Sequence, residues 1–239
     1  MAAFDFLASH PRYAEDANTI ARLNTRHRFL IDPFRDDINE ARVLDLAAHD
    51  GRWSMALAEA GAAMVVGIEA RTDLIAQHAE LDGPPSKDRV MMEQGDIFDR
   101  LDELTSENIR FEVVTLFGIF YHVMDHFRLL RKCVDLRPKL ILIDSEFMKG
   151  NWPFIKMLRE TTDNPLNAAP QIAGQPVAIK GVPSSIALER MAQALNCRVD
   201  WSDWNTLPED QRDHVTDYFR GDDHKMIRRT CALRPFENI

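Results

Sequence analysis

Five short apolar runs recur along the chain, each separated from the next by a helical or polar stretch. They are ARVLDLA (41–47), AMVVGIEA (63–70), RVMMEQGD (89–96), FEVVTLFG (111–118) and PKLILIDSE (138–146). Runs this apolar suit strands covered on both faces, and in a βαβ rhythm that means a parallel sheet with helices on either side. The helices are RWSMALAEAGA (52–62), ended by Gly61, DLIAQHAEL after a Thr72 cap, and HFRLLRKCVD (126–135). Right-handed crossovers then place every strand's C-terminal end along one edge, and ligands sit beyond that edge where the strand order reverses. The chemistry is expected just after residues 47, 69, 96, 118 and 144.

Residues 1–40 read as an N-terminal helical cap. Ala17, Ile20, Ala21 and Leu23 fall at helical spacing between Ala14 and Ile31, and Pro33 ends the pattern. Residues 41–239 form the main domain. Within it, 147–183 holds five prolines and little periodicity. It follows the fifth strand, so it is expected to overhang the active edge as an insertion, a lid or substrate wall. SSIALERMAQALN (184–196) is a helix with a serine cap. CRVDWSDW and KMIRRTCALR (225–234) read as two closing strands.

Charge narrows the partners. With 29 Lys+Arg against 38 Asp+Glu the formal net charge is −9, which argues against nucleic acid, whose phosphates need a concentrated basic face. Cys133, Cys197 and Cys231 are odd in number, far apart and without zinc spacing. They read as reduced buried thiols of a cytoplasmic protein. The N-terminus lacks the pattern of a secretory signal, and no run approaches the ~18 apolar residues of a membrane span. A homo-oligomer is compatible with the sequence.

The turn after the first strand is the most informative. In VLDLAAHDGRWS an acid, Asp45, closes the strand, and Ala47 and Ala48 leave room for a ligand near the backbone. The helix start that follows favours a negative group. Glu69 ends the second strand, where a carboxylate can accept both hydroxyls of a ribose. VLDLAAHDGRWS followed by VVGIEAR resembles the cofactor core of class I S-adenosylmethionine-dependent methyltransferases, with Ala47 and His49 in place of two glycines and Gly51 kept. Losing those glycines would harm a dinucleotide enzyme, whose pyrophosphate needs close backbone approach. GDIFD (95–99) is similar to the family's acidic loop, and FGIFYHVMDHFRLL resembles the G-x-x-Y-H turn of a bacterial branch.

The resemblance covers residues 24–146 and implies a Rossmann-like, seven-stranded, mostly parallel α/β sheet with helices on both faces. It also implies S-adenosyl-L-methionine as cofactor. Asp45, Ala47, His49 and Gly51 would then shape the methionine pocket, His49 through its backbone. Glu69 would hold the ribose and Arg71 border the adenine side. Asp96 and Ile97 would take the base, and Phe117 and Gly118 would lie near the sulfonium. For each, an ordinary strand-end turn is the bland alternative. Asn24, Arg26 and His27 recur in the same branch and either close the pocket or belong to a solvated helix face.

Methyl transfer to a hydroxyl needs in-line alignment and a base. His122 is the candidate base, against a backbone-bonded turn histidine, and Tyr121 would pack on the cofactor or aim the acceptor. Asp144 and Glu146 end the fifth strand on one face. They would orient His122, bind acceptor hydroxyls or ligate a divalent cation such as magnesium, unless they are plain surface carboxylates. His126 reads as the start of a helix. Trp53, Trp201 and Trp204 read as packing, and Arg220, Lys225, Arg228 and Arg229 as a solvated edge. The leading reading is O-methylation of a small hydroxylated acceptor, a sugar or saccharide precursor. The alternatives are a tRNA wobble-uridine modifying transferase, since LFGIFYH is similar to a string of such enzymes, and a cofactor-binding interaction module without catalysis.

Overall fold

The computed structural model describes residues 2–236; Met1 and residues 237–239, at the outer ends of the two segments above, lie outside the described residues. The elements in chain order are α1 (Ala17–Leu30), the single turn α2 (Arg35–Ile38), β1 (Arg42–Leu46), α3 (Arg52–Glu59), β2 (Met64–Glu69) and α4 (Thr72–Glu80). Then come β3 (Val90–Gln94), α5 (Ile97–Ser106), β4 (Val113–Phe117), α6 (His126–Asp135) and β5 (Leu140–Met148). β6 (Ile155–Thr161), β7 (Val177–Pro183), α7 (Ser185–Ala194), β8 (Cys197–Trp201) and β9 (Met226–Pro235) complete the chain. Seven strands form one sheet in the order β3-β2-β1-β4-β5-β9-β8. β1 to β5 are mutually parallel, and β9 runs antiparallel to both β5 and β8. This is the expected α/β, Rossmann-like, mostly parallel sheet.

Alternation along the strands feeds two cores. Val43, Val65, Val113, Leu140 and Leu142 pack beneath α3 and the N-terminal segment, with Phe4, Leu7, Leu23 and Leu30. Leu44, Val66, Ile68, Leu116, Ile141 and Ile143 pack beneath α5, α6 and α7. Both strand faces are therefore dry, which is why the runs carry so little polar alternation. The sequence pattern does not single out α5. Asp96 caps it by accepting from the Phe98 and Asp99 N–H groups, and Ile97, Leu101 and Leu104 bury its inner face.

The stretch 147–183 departs from the aperiodic lid that its prolines suggest. β5 extends to Met148, and β6 and β7 form an antiparallel hairpin in which Leu158 faces Lys180 and Glu160 faces Ala178. Residues 162–176 connect the two strands. The hairpin docks on the start of α6: the Gly181 N–H donates to the Val123 carbonyl at 3.0 Å, and His126 Nε2 bonds the Gly181 carbonyl at 2.9 Å. A β-carbon on Gly181 would stand 2.7 Å from His126 Cε1, so only glycine permits this approach. His126 thus begins α6 and also anchors the hairpin. No helix among the described residues is long and apolar enough to cross a membrane. The three cysteines are buried free thiols.

Candidate functional site

From β1 the sheet builds outward through β2 to β3, then resumes on the other side of β1 with β4. At that reversal, beyond the C-terminal strand ends, a cleft of about 890 Å³ opens. Ala47 and His49 after β1, Glu69 and Arg71 after β2, Asp96 and Ile97 after β3, and Phe117 and Gly118 after β4 all line it. Asp45 forms its floor. Aligned with Gly67 and Thr115 on the neighbouring strands, it accepts from the Ser54 hydroxyl at 2.6 Å and the Thr115 hydroxyl at 2.7 Å. Burial outweighs these two bonds and raises its carboxyl to about 6, with nearby Glu69 adding to the rise.

The first turn is strained where the resemblance has glycine. Ala47 and His49 both sit at φ 56°, a left-handed conformation that costs an L-residue roughly 1–2 kcal/mol. The turn delivers the His49 N–H to Glu69 Oε2 at 2.9 Å, and the Arg71 N–H meets Oε1 at 2.9 Å. Glu69 is thereby held at the rim by two backbone donors. The His49 ring turns Nδ1 toward Arg52, 3.0 Å away, while its buried Nε2 finds no partner among the described residues. Gly51 is a correction: it starts α3 at φ 74° with His78 packed against it, 2.3 Å from where a β-carbon would be, and does not line the cleft. Asp96 spends Oδ1 on capping α5, and its Oδ2 has no protein partner among the described residues. Arg71 reaches across to the hairpin connection, with Nη2 2.9 Å from the Thr162 carbonyl and 3.3–3.4 Å from those of Asn164, Asn167 and Ala168.

His122 and Tyr121 line the far wall. The carboxylate that orients His122 is Glu160 of β6, with Nδ1 2.7 Å from Oε1; Asp144 and Glu146 do not reach it. Glu160 also accepts the Ala168 N–H at 2.9 Å, and Lys180 Nζ lies 2.7 Å from its other oxygen. Lys180 stands over the Tyr121 ring, 4.9 Å from its centre. Burial would raise the Glu160 carboxyl; His122, Lys180 and the Ala168 N–H overcome that and bring it to about 2. Burial lowers the His122 imidazole below its ordinary value, and the pull of Glu160 does not restore it. The lowered value favours the neutral ring near pH 7, and since Nδ1 lies against the Glu160 carboxylate, Nε2 is the nitrogen left to act as a base.

Asp144 is a second correction. It is fully buried and absent from the cleft wall. Arg26 Nη2, Arg228 Nε at 2.8 Å, the Tyr218 hydroxyl at 2.7 Å and the Thr230 hydroxyl at 2.9 Å surround its carboxylate. Burial pushes this carboxyl up, and the Arg228 and Arg26 guanidiniums more than reverse it, holding the group well below the carboxylate range. A divalent cation would have to displace two guanidiniums. Glu146 faces Arg220 at 2.9 Å and is likewise off the wall. The two do not fit a metal pair, and no cluster of three ligating side chains occurs among the described residues. Arg228, expected on a solvated edge, is buried and lines the cleft beside Arg26. Asn24 and His27 stay behind the wall, Asn24 bonding the Phe4 N–H at 2.8 Å and His27 lying 3.3 Å from Asp32. Trp204 packs as expected, stacked between Phe29 and Tyr218. Trp53 belongs to the core and also borders the cleft. Glu160 and Lys180 escaped the sequence reading; a carboxylate between otherwise non-acidic residues of a strand was the one available signal.

No family model and no curated protein matches the chain. Solved structures share its fold. An S-adenosylmethionine-dependent methyltransferase from Listeria monocytogenes, itself described as putative in function, aligns at TM-score 0.62 and 16% identity over 92% of this chain and 100% of that one. The N-terminal domain of EvdMO1, solved in the presence of SAH and D-fucose, aligns at 0.60 and 16% over 89% and 82%. The glycopeptide N-methyltransferase MtfA aligns at 0.52 and 14% over 92% and 91%. The chain therefore has the fold of class I S-adenosylmethionine-dependent methyltransferases.

Proposed function

We propose that this chain is an S-adenosylmethionine-dependent methyltransferase acting on a hydroxyl oxygen of a small molecule, a sugar or saccharide precursor. What carries the reading is the neutral His122, locked by Glu160 on the wall of a cleft whose opposite end presents Glu69 and Asp96. The residues suit the cofactor. Glu69 would offer acceptor lone pairs to ribose hydroxyls, Asp96 Oδ2 would suit the adenine amino group, and Ile97 and Phe98 would give the base an apolar bed; all four line the cleft. The unpartnered His49 Nε2 offers a further polar contact. When bound, the cofactor supplies an electrophilic methyl group on a sulfonium.

His122 would take the acceptor hydroxyl's proton at Nε2. Glu160 holds the ring's tautomer and steadies the imidazolium that forms. The hairpin connection, tied to Arg71, lines the cleft through Asn164, Leu166 and Asn167 and would shield the reacting centre from water. The EvdMO1 domain, solved with a sugar present, supports the sugar reading. MtfA shows the fold serving a nitrogen acceptor, so amino sugars belong in the screen. Three buried free thiols support a reducing, cytoplasmic setting.

The test is twofold. SAH at 100 times its dissociation constant should add about 2.7 kcal/mol of stability, and Glu69→Ala should abolish the shift. A labelled-methyl screen of hydroxylated metabolites should return an acceptor whose turnover falls about 10²-fold or more in His122→Ala. Product methylated only on nitrogen would overturn the oxygen assignment.

A further inference from the structure

We propose that Arg26 and Arg228 form an anion subsite at the acceptor end of the cleft, so that the methylated molecule carries a carboxylate or phosphate beside its acceptor atom. The inference rests on the methyltransferase reading and sharpens it. The chain as a whole is acidic, at −9, but this wall is not. Asp144 is the only carboxylate bonded to either Arg26 or Arg228 among the described residues, and it serves both. Tyr218 adds no negative charge: burial and Asp144 hold its phenol protonated, and its hydroxyl accepts from Arg26 Nε at 3.0 Å and Arg228 Nε at 3.2 Å. Arg22 next to them is already matched by Asp217, at 2.6 and 2.7 Å. Three guanidiniums thus face two carboxylates.

Arg26 is 7% exposed and Arg228 8%, both on the cleft wall. Neither Nη1 has a protein partner among the described residues, while Nε and Nη2 of both are engaged by Asp144 and Tyr218. Two guanidiniums fixed by Asp144 and Tyr218, each lining the cleft with one nitrogen unbonded, suit a planar or tetrahedral oxyanion. Position sets the pair apart from the nucleoside end of the cleft. Arg228 Nη2 lies 3.6 Å from the β-carbon position of Gly118, at the tip of β4. Glu69 and Asp96 lie at the tips of β2 and β3, on the other side of β1. A neutral sugar would leave the buried positive charge unanswered.

Calorimetric titration of the SAH-loaded protein with inorganic phosphate and with malonate tests this and separates phosphate from carboxylate. At least one anion should bind saturably, and Arg228→Gln should weaken it about tenfold or more while leaving SAH affinity within about twofold. Arg228→Lys, which keeps the charge beside Asp144, is the second variant should the glutamine protein not fold, and it too should bind the anion more weakly because the fork is lost. Absence of anion binding, equal binding by the variants, or competition between anion and SAH would overturn the proposal; the last would assign the arginines to the methionine carboxylate. A parent protein that fails to bind SAH sinks the methyltransferase reading instead, and the anion titration is then read on the protein alone.

Discussion

At the residue scale the site turns on two groups whose environments push them in opposite directions. Burial lowers His122, and Glu160 pulls it back only in part. Removing that anion in Glu160→Gln should lower the imidazole further. The acid limb of kcat/KM against pH should then move to lower pH, while the plateau falls about tenfold because an amide cannot steady an imidazolium. An unmoved limb would show that His122 does not govern it. Asp45 has the reverse sign. Its carboxyl is raised to about 6 from an ordinary 3.8, so the folded state holds the proton more tightly. The stability this contributes is complete below about pH 4 and lost as pH rises through 6. Asp45→Asn keeps the shape, and Ser54 and Thr115 can reverse their hydroxyls. The variant should therefore gain on the parent by about 2–3 kcal/mol between pH 4 and 7.5, read from urea unfolding at both. A constant difference would place the Asp45 titration outside that range. The cleft positions of Asp45, Glu69 and Asp96 were legible in the sequence because each sits at or just past a strand tip, and that of His122 because it falls in the turn after β4, places that local pattern defines.

At the scale of elements, legibility follows burial. The five parallel strands announce themselves because both their faces are dry. β6 does the opposite: Ile155 and Met157 face solvent while Glu160 turns inward. Its polarity is inverted, and no period-two pattern survives to be read. Arg228 is hidden for a related reason, since β9 looks like a basic edge until β5 pairs Glu146 with it in register. The connection between β6 and β7 is tied to the cleft by Arg71, whose Nη2 gathers four carbonyls of 162–168 around one cation. Hydrogen bonds to a charged donor contribute about 1.5–3 kcal/mol. Arg71→Ala should accordingly speed amide exchange in 162–176 about tenfold or more, with β1, β4 and β5 unchanged. Equal protection in the variant would mean that the connection is held by its own turns.

At the scale of the whole molecule, the N-terminal segment is a wall of the sheet's first core. Phe4, Leu7, Leu30, Ile31 and Ile38 are fully buried there against Trp53, Leu57 and the strand residues of that face. Fully burying such a side chain is worth about 1.5–3 kcal/mol, so the five together reach on the order of 10 kcal/mol, comparable to the whole stability of an ordinary domain. The sequence shows a helix before the first strand, but not that this helix closes the core, because the partner surface lies on α3 and across the sheet. A chain beginning at residue 41 should lose more than a lid. It should show no cooperative unfolding transition in near-ultraviolet circular dichroism and no SAH-dependent shift, since the core that holds the strand tips in place leaves with the segment. Single substitutions grade the same argument: Leu30→Ala should cost about 2–5 kcal/mol, and the exposed Arg28→Ala well under 1 kcal/mol. A truncated chain that melts cooperatively would make the segment an appendage, and the cleft would then have to be rebuilt from the strand tips alone.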